Sequence, residues 1–368
     1  MERVLIVLPN LDQGGTEMAV MNYFRVSGLP FDFAVHGAAG YYEAEAESLG
    51  ARIFRVPTRS QGLWKNIRAM RDLYRKRDSY GKHIYKTVIV CTEHSFAFIE
   101  LLTAKMCGVR VRAAWSHFSD YQGASRLKRR LHFITRPLMR LFGNLFLACT
   151  KDAGKWLFGR SVLRDRRFHV INNAIDLDRF KYNPAVRAAM RDKLGLGGKF
   201  AVGIVGRLAP VKNHAFALEV FAQISEKDDT AAFVIIGVGE LEDEITANAA
   251  RLGITDKTRF IGMAGDLPGY YQAMDALIVP SLHEGFGIVA LEGQAAGLPT
   301  LLSEGVPLAA AVCNLARHMN LSEGTEAWAD VILTMKGIER KEIDLTASGF
   351  HITEAASKFR KIILEAGQ

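Results

Sequence analysis

Short apolar runs alternate with stretches of helical spacing along most of the chain. Residues 4–8, 31–35, 52–56, 87–91, 109–115 and 144–149 are continuous or nearly continuous apolar runs of strand length. Between them, residues 18–24, 42–49, 62–80 and 96–107 carry apolar side chains at helical spacing. The same alternation resumes after residue 200. Residues 200–205, 233–236, 259–262 and 276–279 read as strands, and helical stretches such as 215–224 follow them. Strands buried on both faces with helices between them imply parallel sheets covered on each side. Ligands bind such sheets beyond the carboxyl ends of the strands, so the loops at those ends are the places to look for chemistry. The pattern divides near residues 168–176, which predicts one domain over 1–175 and a second over 176–349. A terminal amphipathic helix lies within 350–368, with Ala355, Phe359, Ile362 and Ile363 on one side.

The run 281–297 reads Ser-Leu-His-Glu-Gly-Phe-Gly-Ile-Val-Ala-Leu-Glu-Gly-Gln-Ala-Ala-Gly. It follows an apolar run closed by Pro280 and predicts a loop carrying Glu284, then a helix with Glu292 about two turns inside and Gly297 as its C-cap. Taken alone, Glu284 reads as a solvated cap and Glu292 as a surface residue. Between them, however, the amides of Gly287, Ile288 and Val289 open a helix and attract phosphate. Each carboxylate can accept from a pair of neighbouring hydroxyls. A diol, a diphosphate and a second diol in line are the layout of a nucleotide sugar. Arg207 and Lys212 share another loop at a strand's end and can flank a diphosphate, one as a planar fork and the other as a point charge. Gly14 and Gly15 form a glycine turn between a strand and a helix, a further anion site.

At 368 residues the chain suits two domains, and its 49% hydrophobic and 23% charged composition is that of a globular protein. Cys91, Cys107, Cys149 and Cys313 show no metal-like spacing. No signal peptide and no apolar run of spanning length is expected, so the predicted location is cytoplasmic. The formal charge of +8 is uneven: Asp152 and Asp165 are the only acidic residues opposing a dense basic stretch between residues 121 and 170. No stacking-aromatic or finger motif accompanies that charge, which argues against a nucleic-acid partner. Within residues 125–146, leucines and other apolar residues alternate with Arg126, Lys128, Arg129, Arg130, Arg136 and Arg140 at roughly helical spacing. Such a helix either lies on an anionic membrane or covers a sheet with its apolar face; Arg136-Pro137 should bend it or end its first part.

Several of these stretches resemble one family. Glu284-Gly-Phe-Gly with a second glutamate eight residues on, then Ala-Ala-Gly297-Leu-Pro299, resembles the signature of the retaining GT-B glycosyltransferases of the family 4 type. Gly206-Arg207 followed by Lys212-Asn213 is a second match, and Gly14-Gly15-Thr16-Glu17 resembles the family's opening loop. Residues 168–176 resemble its domain crossover, with Ala174 where glycine is usual. Residues 262–266 resemble its base-side loop, and Glu326-Ala-Trp328-Ala329 a helix of bacterial polysaccharide-building members.

The resemblance implies an α/β GT-B fold, two Rossmann-like domains facing across a cleft, with the C-terminal helix crossing back to the first. The second domain would bind the donor and the first the acceptor. The implied reaction moves a hexose-type sugar from a nucleotide diphosphate sugar, a UDP-sugar by preference, to a hydroxyl of a lipid-linked or growing glycan. It would proceed with retention and without metal or cofactor. Arg207, Lys212 and the amides of 287–289 would stabilise the leaving diphosphate, Glu284 would hold sugar hydroxyls and Glu292 the ribose. His117, between a predicted strand and Ser119-Asp-Tyr-Gln-Gly123, would face the donor sugar; His94 is left as an acceptor-side residue. The basic stretch would dock the enzyme peripherally on the inner face of an anionic membrane. Two other readings remain: a nucleotide-sugar epimerase of the same fold, and a non-catalytic sugar-binding subunit.

Overall fold

The computed structural model describes residues 3–12, 14–118 and 125–368. In chain order the first part runs β1 (Arg3–Leu8), α1 (Gly15–Ser27), β2 (Phe31–Val35), α2 (Glu43–Ser48), β3 (Ile53–Arg55), α3 (Leu63–Tyr74), β4 (Tyr85–Cys91), α4 (Phe98–Met106), β5 (Val111–Ser116), α5 (Arg126–Phe142), β6 (Leu145–Ala148), α6 (Lys151–Phe158) and β7 (Phe168–Val170). The second part begins with α7 (Leu177–Phe180), α8 (Pro184–Leu194), β8 (Phe200–Val205), α9 (His214–Lys227), β9 (Ala231–Ile236), α10 (Glu242–Arg251) and β10 (Thr258–Gly262). It continues through α11 (Leu267–Ala273), β11 (Ala276–Val279), α12 (Ile288–Ala295), β12 (Thr300–Ser303), β13 (Ala316–Met319), α13 (Thr325–Leu333) and α14 (Ile352–Ala366).

Contacts divide the chain into two compact units, residues 1–174 with 352–368 and residues 175–351. Among the described residues, the first unit holds a parallel sheet ordered β3-β2-β1-β4-β5-β6-β7 and the second one ordered β10-β9-β8-β11-β12-β13. Both are doubly wound α/β sheets, the Rossmann-like architecture the alternation predicts. In the first unit, alternate residues of β1 serve opposite cores. Val4, Ile6 and Leu8 join α1 and α14, while Leu5 and Val7 join Met70 of α3, Leu101 of α4 and Leu157 of α6. Period-two alternation with both faces apolar is what makes such a strand read as an unbroken hydrophobic run. Helix α14 packs on α1, where Phe359 meets the rings of Tyr23, Phe31 and Trp115.

The second unit repeats the plan. Phe221 stacks on Phe233 in its core, and Trp328 of α13 is fully buried against α9. The residue before β11, Asp275, accepts from Arg187 and Arg191 of α8 and from the Ala201 amide of β8. These bonds tie the strand that feeds the 281–297 loop to its neighbour.

Three local readings are corrected. Helix α5 does not end at Pro137 but continues from Arg126 to Phe142. Phe133, whose carbonyl the proline ring cannot serve, is about half exposed, so water can satisfy it. The helix expected over 62–80 stops at Tyr74, because the Asp78 carboxylate accepts from the Tyr80 and Lys82 amides and closes a turn instead. At the crossover, Ala174 is fully buried and its φ is not positive, so the missing glycine costs no strain there.

Candidate active site

The loops after β8, β9, β10, β11 and β12 are stitched together backbone to backbone. Gly206 donates to Ile236, Leu208 to Val238, Gly237 to Gly262, Leu282 to Val211 and Glu284 to Gly305. This lattice needs glycine: a Cβ at Gly237, where φ is +146°, would lie 1.9 Å from the Gly206 carbonyl oxygen. Asn213 is the one described non-glycine residue with positive φ, at 57°, a region asparagine tolerates best. Its side chain donates to the Pro280 carbonyl at 3.2 Å and so locks the Arg207–Lys212 loop to the Glu284 loop.

On that lattice the predicted residues of the second unit come together. The Lys212 ammonium lies 2.6 Å from Oε1 of Glu284, and the Ser281 hydroxyl donates to the same oxygen at 2.7 Å. Both charged side chains are largely buried, at 20% and 12% exposure. Phe286 is buried and stacks on Phe350 at 4.8 Å, which fixes the Glu284 loop between two anchors. Gly287, at φ +88°, then turns the chain into α12, and among the described residues no side chain caps that helix. Helix-opening amides without a side-chain cap are the kind of group that can meet an anion, which is the expectation the sequence raises here. Arg207 stands further out, two-thirds exposed and paired with Glu240 at 3.0 Å.

Glu292 is the largest surprise of placement. Helix α12 starts at Ile288, so Glu292 sits in its second turn and is only 2% exposed. The helix is buried almost all round, and the Tyr271 hydroxyl donates to Glu292 Oε2 at 2.7 Å. Burial raises the Glu292 pKa to about 7, opposed by the Tyr271 hydrogen bond and by the nearby charges of Lys212 and Arg179. A carboxyl poised near neutrality can take up or release a proton when hydroxyls dock on it.

In the first unit, His117 follows β5 and is 3% exposed. Among the described residues neither ring nitrogen has a hydrogen-bond partner, and the indole nitrogen of Trp115, 4.7 Å away between ring centres, has none either. Burial drives the His117 pKa down to about 3; Asn173 faces the ring and pulls the other way, though the pair falls short of good hydrogen-bond geometry. The predicted segment after His117, residues 119–123, lies outside the described residues. Gly14 caps α1 and Gly15 opens it, and the Glu17 carboxylate lies beside Gly14: a Cβ there would lie 2.0 Å from its Oε2, while the Gly14 amide donates to the Asp12 carbonyl. The turn that the sequence suggests for an anion thus has a carboxylate of its own beside it. Burial, more than the bond to its own amide or the charge of Asp12, sets the Glu17 pKa, which is raised to about 7.

Sequence reasoning assigned no site role to Ser281, Tyr271, Asn173 or the buried Glu17, nor to His214, whose ring nitrogens are buried beside Lys212 without hydrogen-bond partners among the described residues. Only adjacency to a predicted site residue could have flagged Ser281 and His214. The chain also carries one Asp-x-Asp triplet, Asp176-Leu177-Asp178. Asp176 caps α7, and Asp178 pairs with Lys181 and His351, so both carboxylates are engaged in local structure.

Residues 186–341 match the family described as glycosyl transferases group 1. The chain is 32% identical over 341 residues to EpsF of Bacillus subtilis strain 168, named as a glycosyltransferase, covering 90% of this chain and 87% of that one. It is 28% identical over 264 residues to the Escherichia coli UDP-Gal:alpha-D-GlcNAc-diphosphoundecaprenol alpha-1,3-galactosyltransferase, covering 68% and 66%. Among solved structures it resembles Anabaena HepE in complex with UDP and glucose, with a TM-score of 0.75 at 18% identity over 100% of this chain and 98% of that one. The chain belongs to the group 1 glycosyl transferases and has the GT-B fold.

Proposed function

We propose that the protein transfers a hexose-type sugar, with retention, from a nucleotide diphosphate sugar to a hydroxyl of a lipid-linked or growing glycan in polysaccharide assembly. One observation carries the reading: in the second unit two carboxylates, the largely buried Glu284 and the fully buried Glu292, flank a helix N-terminus that has no side-chain cap among the described residues, beside Lys212. That order suits sugar hydroxyls, diphosphate and ribose in turn. A UDP-sugar is the preferred donor, since HepE was solved with UDP and glucose and the E. coli relative is named for UDP-Gal. The lipid-diphosphate acceptor in that second name supports a lipid-linked acceptor here.

As the sugar–phosphate bond breaks, negative charge grows on the leaving diphosphate. Lys212, Arg207 and the amides of Ile288 and Val289 stabilise it, so this reading asks for no metal. On donor binding Lys212 turns from Glu284 to phosphate, which frees Glu284 for sugar hydroxyls. The first unit takes the acceptor, with His117 neutral at working pH. Retention is supported by the motif resemblance, and the enzyme works from the cytoplasm as a peripheral protein on an anionic membrane.

The test is incubation with a panel of nucleotide sugars and a lipid-diphosphate acceptor. Free nucleotide diphosphate and an α-linked product from an α-linked donor are expected. An isomerised donor would make the protein an epimerase, and binding without turnover would make it a sugar-binding subunit.

A further inference from the structure

Helix α5 turns its apolar stripe outward. Leu127, Leu131, Ile134, Leu138 and Leu141 follow the i, i+4, i+7, i+11, i+14 spacing of one helix face. Leu127 is 66% exposed, Ile134 71% and Leu141 61%. The opposite face does the packing, and its fully buried residues are His132 and Met139. His132 stacks on Trp156 at 4.3 Å, its Nδ1 accepts from the Ser95 amide, and its Nε2 donates to the Trp156 carbonyl. The sheet is covered by α3, α4, α6 and Met139, so the leucine stripe is not needed for the core. Large apolar side chains lined up on a solvent face mark an interaction surface.

Charge decides what that surface meets. No Asp or Glu occurs between residues 125 and 150. Arg126 and Arg130 border one side of the stripe and Lys128 the other, and among the described residues none of the three has an ion-pair partner. On the helix's flank, Arg136, Lys155 and Arg160 line an open hollow of about 560 Å³ floored by Phe133 and Trp156, with Asp152 as its one carboxylate. A second copy of this chain would bring arginines against arginines. An anionic bilayer answers both features, with acyl chains for the stripe and phosphates for the cations.

Resting on the transferase reading above, we propose that α5 is the membrane-docking element, inserted along Leu127–Ile134–Leu141 into the headgroup–acyl boundary of an anionic bilayer rather than held by charge alone. No described helix is long and apolar enough to cross a membrane, so this docking is interfacial. Insertion predicts two separable components. The full chain should co-sediment with phosphatidylglycerol–phosphatidylcholine vesicles in low salt and keep a substantial bound fraction at about 1 M salt, where screening reaches about 3 Å. A variant carrying R126Q, K128Q and R130Q should lose the preference for anionic over pure phosphatidylcholine vesicles. A variant carrying L127Q, I134Q and L141Q should lose the salt-resistant fraction, with partitioning reduced about tenfold or more.

All three side chains of that second variant are exposed, so its melting temperature should match wild type. Equal partitioning of the stripe variant and wild type overturns the proposal, as does wild type that ignores anionic vesicles. So does a lipid-free oligomer that the stripe variant dissolves, which would make the stripe a contact between copies. UDP-induced thermal stabilisation, measured in parallel, should be the same in all three proteins. Its absence from wild type would break the transferase reading while leaving the vesicle result standing.

Discussion

The Tyr271 hydroxyl donates to Glu292 Oε2 across 21 residues of sequence, at 2.7 Å and with both side chains out of water. Glu292 thus has a partner before any ligand arrives, and on the proposed reading its other oxygen is left for a ribose hydroxyl. Tyr271→Phe should leave that carboxylate under-satisfied, at a cost of about 1–3 kcal/mol in stability. It should also weaken UDP binding without abolishing it. Chemical denaturation and calorimetry on the variant check both outcomes.

The raised pKa of Glu292 makes a pH prediction. A carboxyl whose folded pKa lies near 7, against 4.5 unfolded, favours the folded state below about pH 4.5. That contribution is lost as pH rises to about 7, at about 1.4 kcal/mol per pH unit. Glu292→Gln removes it, so the ligand-free variant should gain on wild type in melting temperature between pH 5 and pH 8. UDP affinity should rise with pH through about 7 in wild type and stay flat in the variant. Parallel pH profiles for the two proteins would detach Glu292 from the ribose.

Lys212 and Glu284 are bound to each other in the free protein, so their variants should part company. Lys212→Ala removes a preorganised cation at developing charge and should lower turnover about a hundredfold or more, with weaker UDP binding. Arg207→Ala, taken from an exposed pair with Glu240, should follow the same direction. Glu284→Gln should leave UDP binding close to wild type or tighter, since Lys212 is released, while depressing transfer. Weakened UDP binding with normal transfer in Glu284→Gln would reverse the assigned donor orientation.

His117 is buried and, among the described residues, both its ring nitrogens lack a hydrogen-bond partner, an arrangement that a purely structural histidine rarely keeps. Its pKa is depressed to about 3 by burial, so acidification below the unfolded value of 6.5 protonates the unfolded chain first and drains stability until the folded value is reached. His117→Leu should therefore melt at or above the wild-type temperature at pH 5, yet lose most of its transfer activity. A variant less stable at pH 7 but unimpaired per folded molecule would make His117 a packing residue.

The Gly206–Gly237 contact leaves no room for a side chain. Gly237→Ala should cost several kcal/mol or displace the Arg207 loop, since the added Cβ meets backbone oxygen at 1.9 Å and φ is +146°. Donor affinity should fall with stability, read by UDP titration of the folded fraction.

The sequence by itself determined the alternation of strands and helices, the loops at their carboxyl ends and the residue types on those loops. Burial on both sheet faces writes continuous apolar runs, and glycine and proline punctuate them; both signals are local in the chain. Hence Arg207, Lys212, Glu284 and the opening of α12 could be read before any coordinates. Tertiary structure alone decided which groups meet across distance: Lys212 with Glu284, 72 residues apart, Tyr271 with Glu292, and Asn173 with His117. It also decided burial. Periodicity says which residues of a helix share a face, but which face is covered depends on what packs there. Glu292 lies on a helix enclosed on nearly every side, which makes it a poised acid rather than a surface charge. Among the described residues, the leucines of α5 share a face that stays largely exposed, because His132 and Met139 turn the other side of that helix toward the protein.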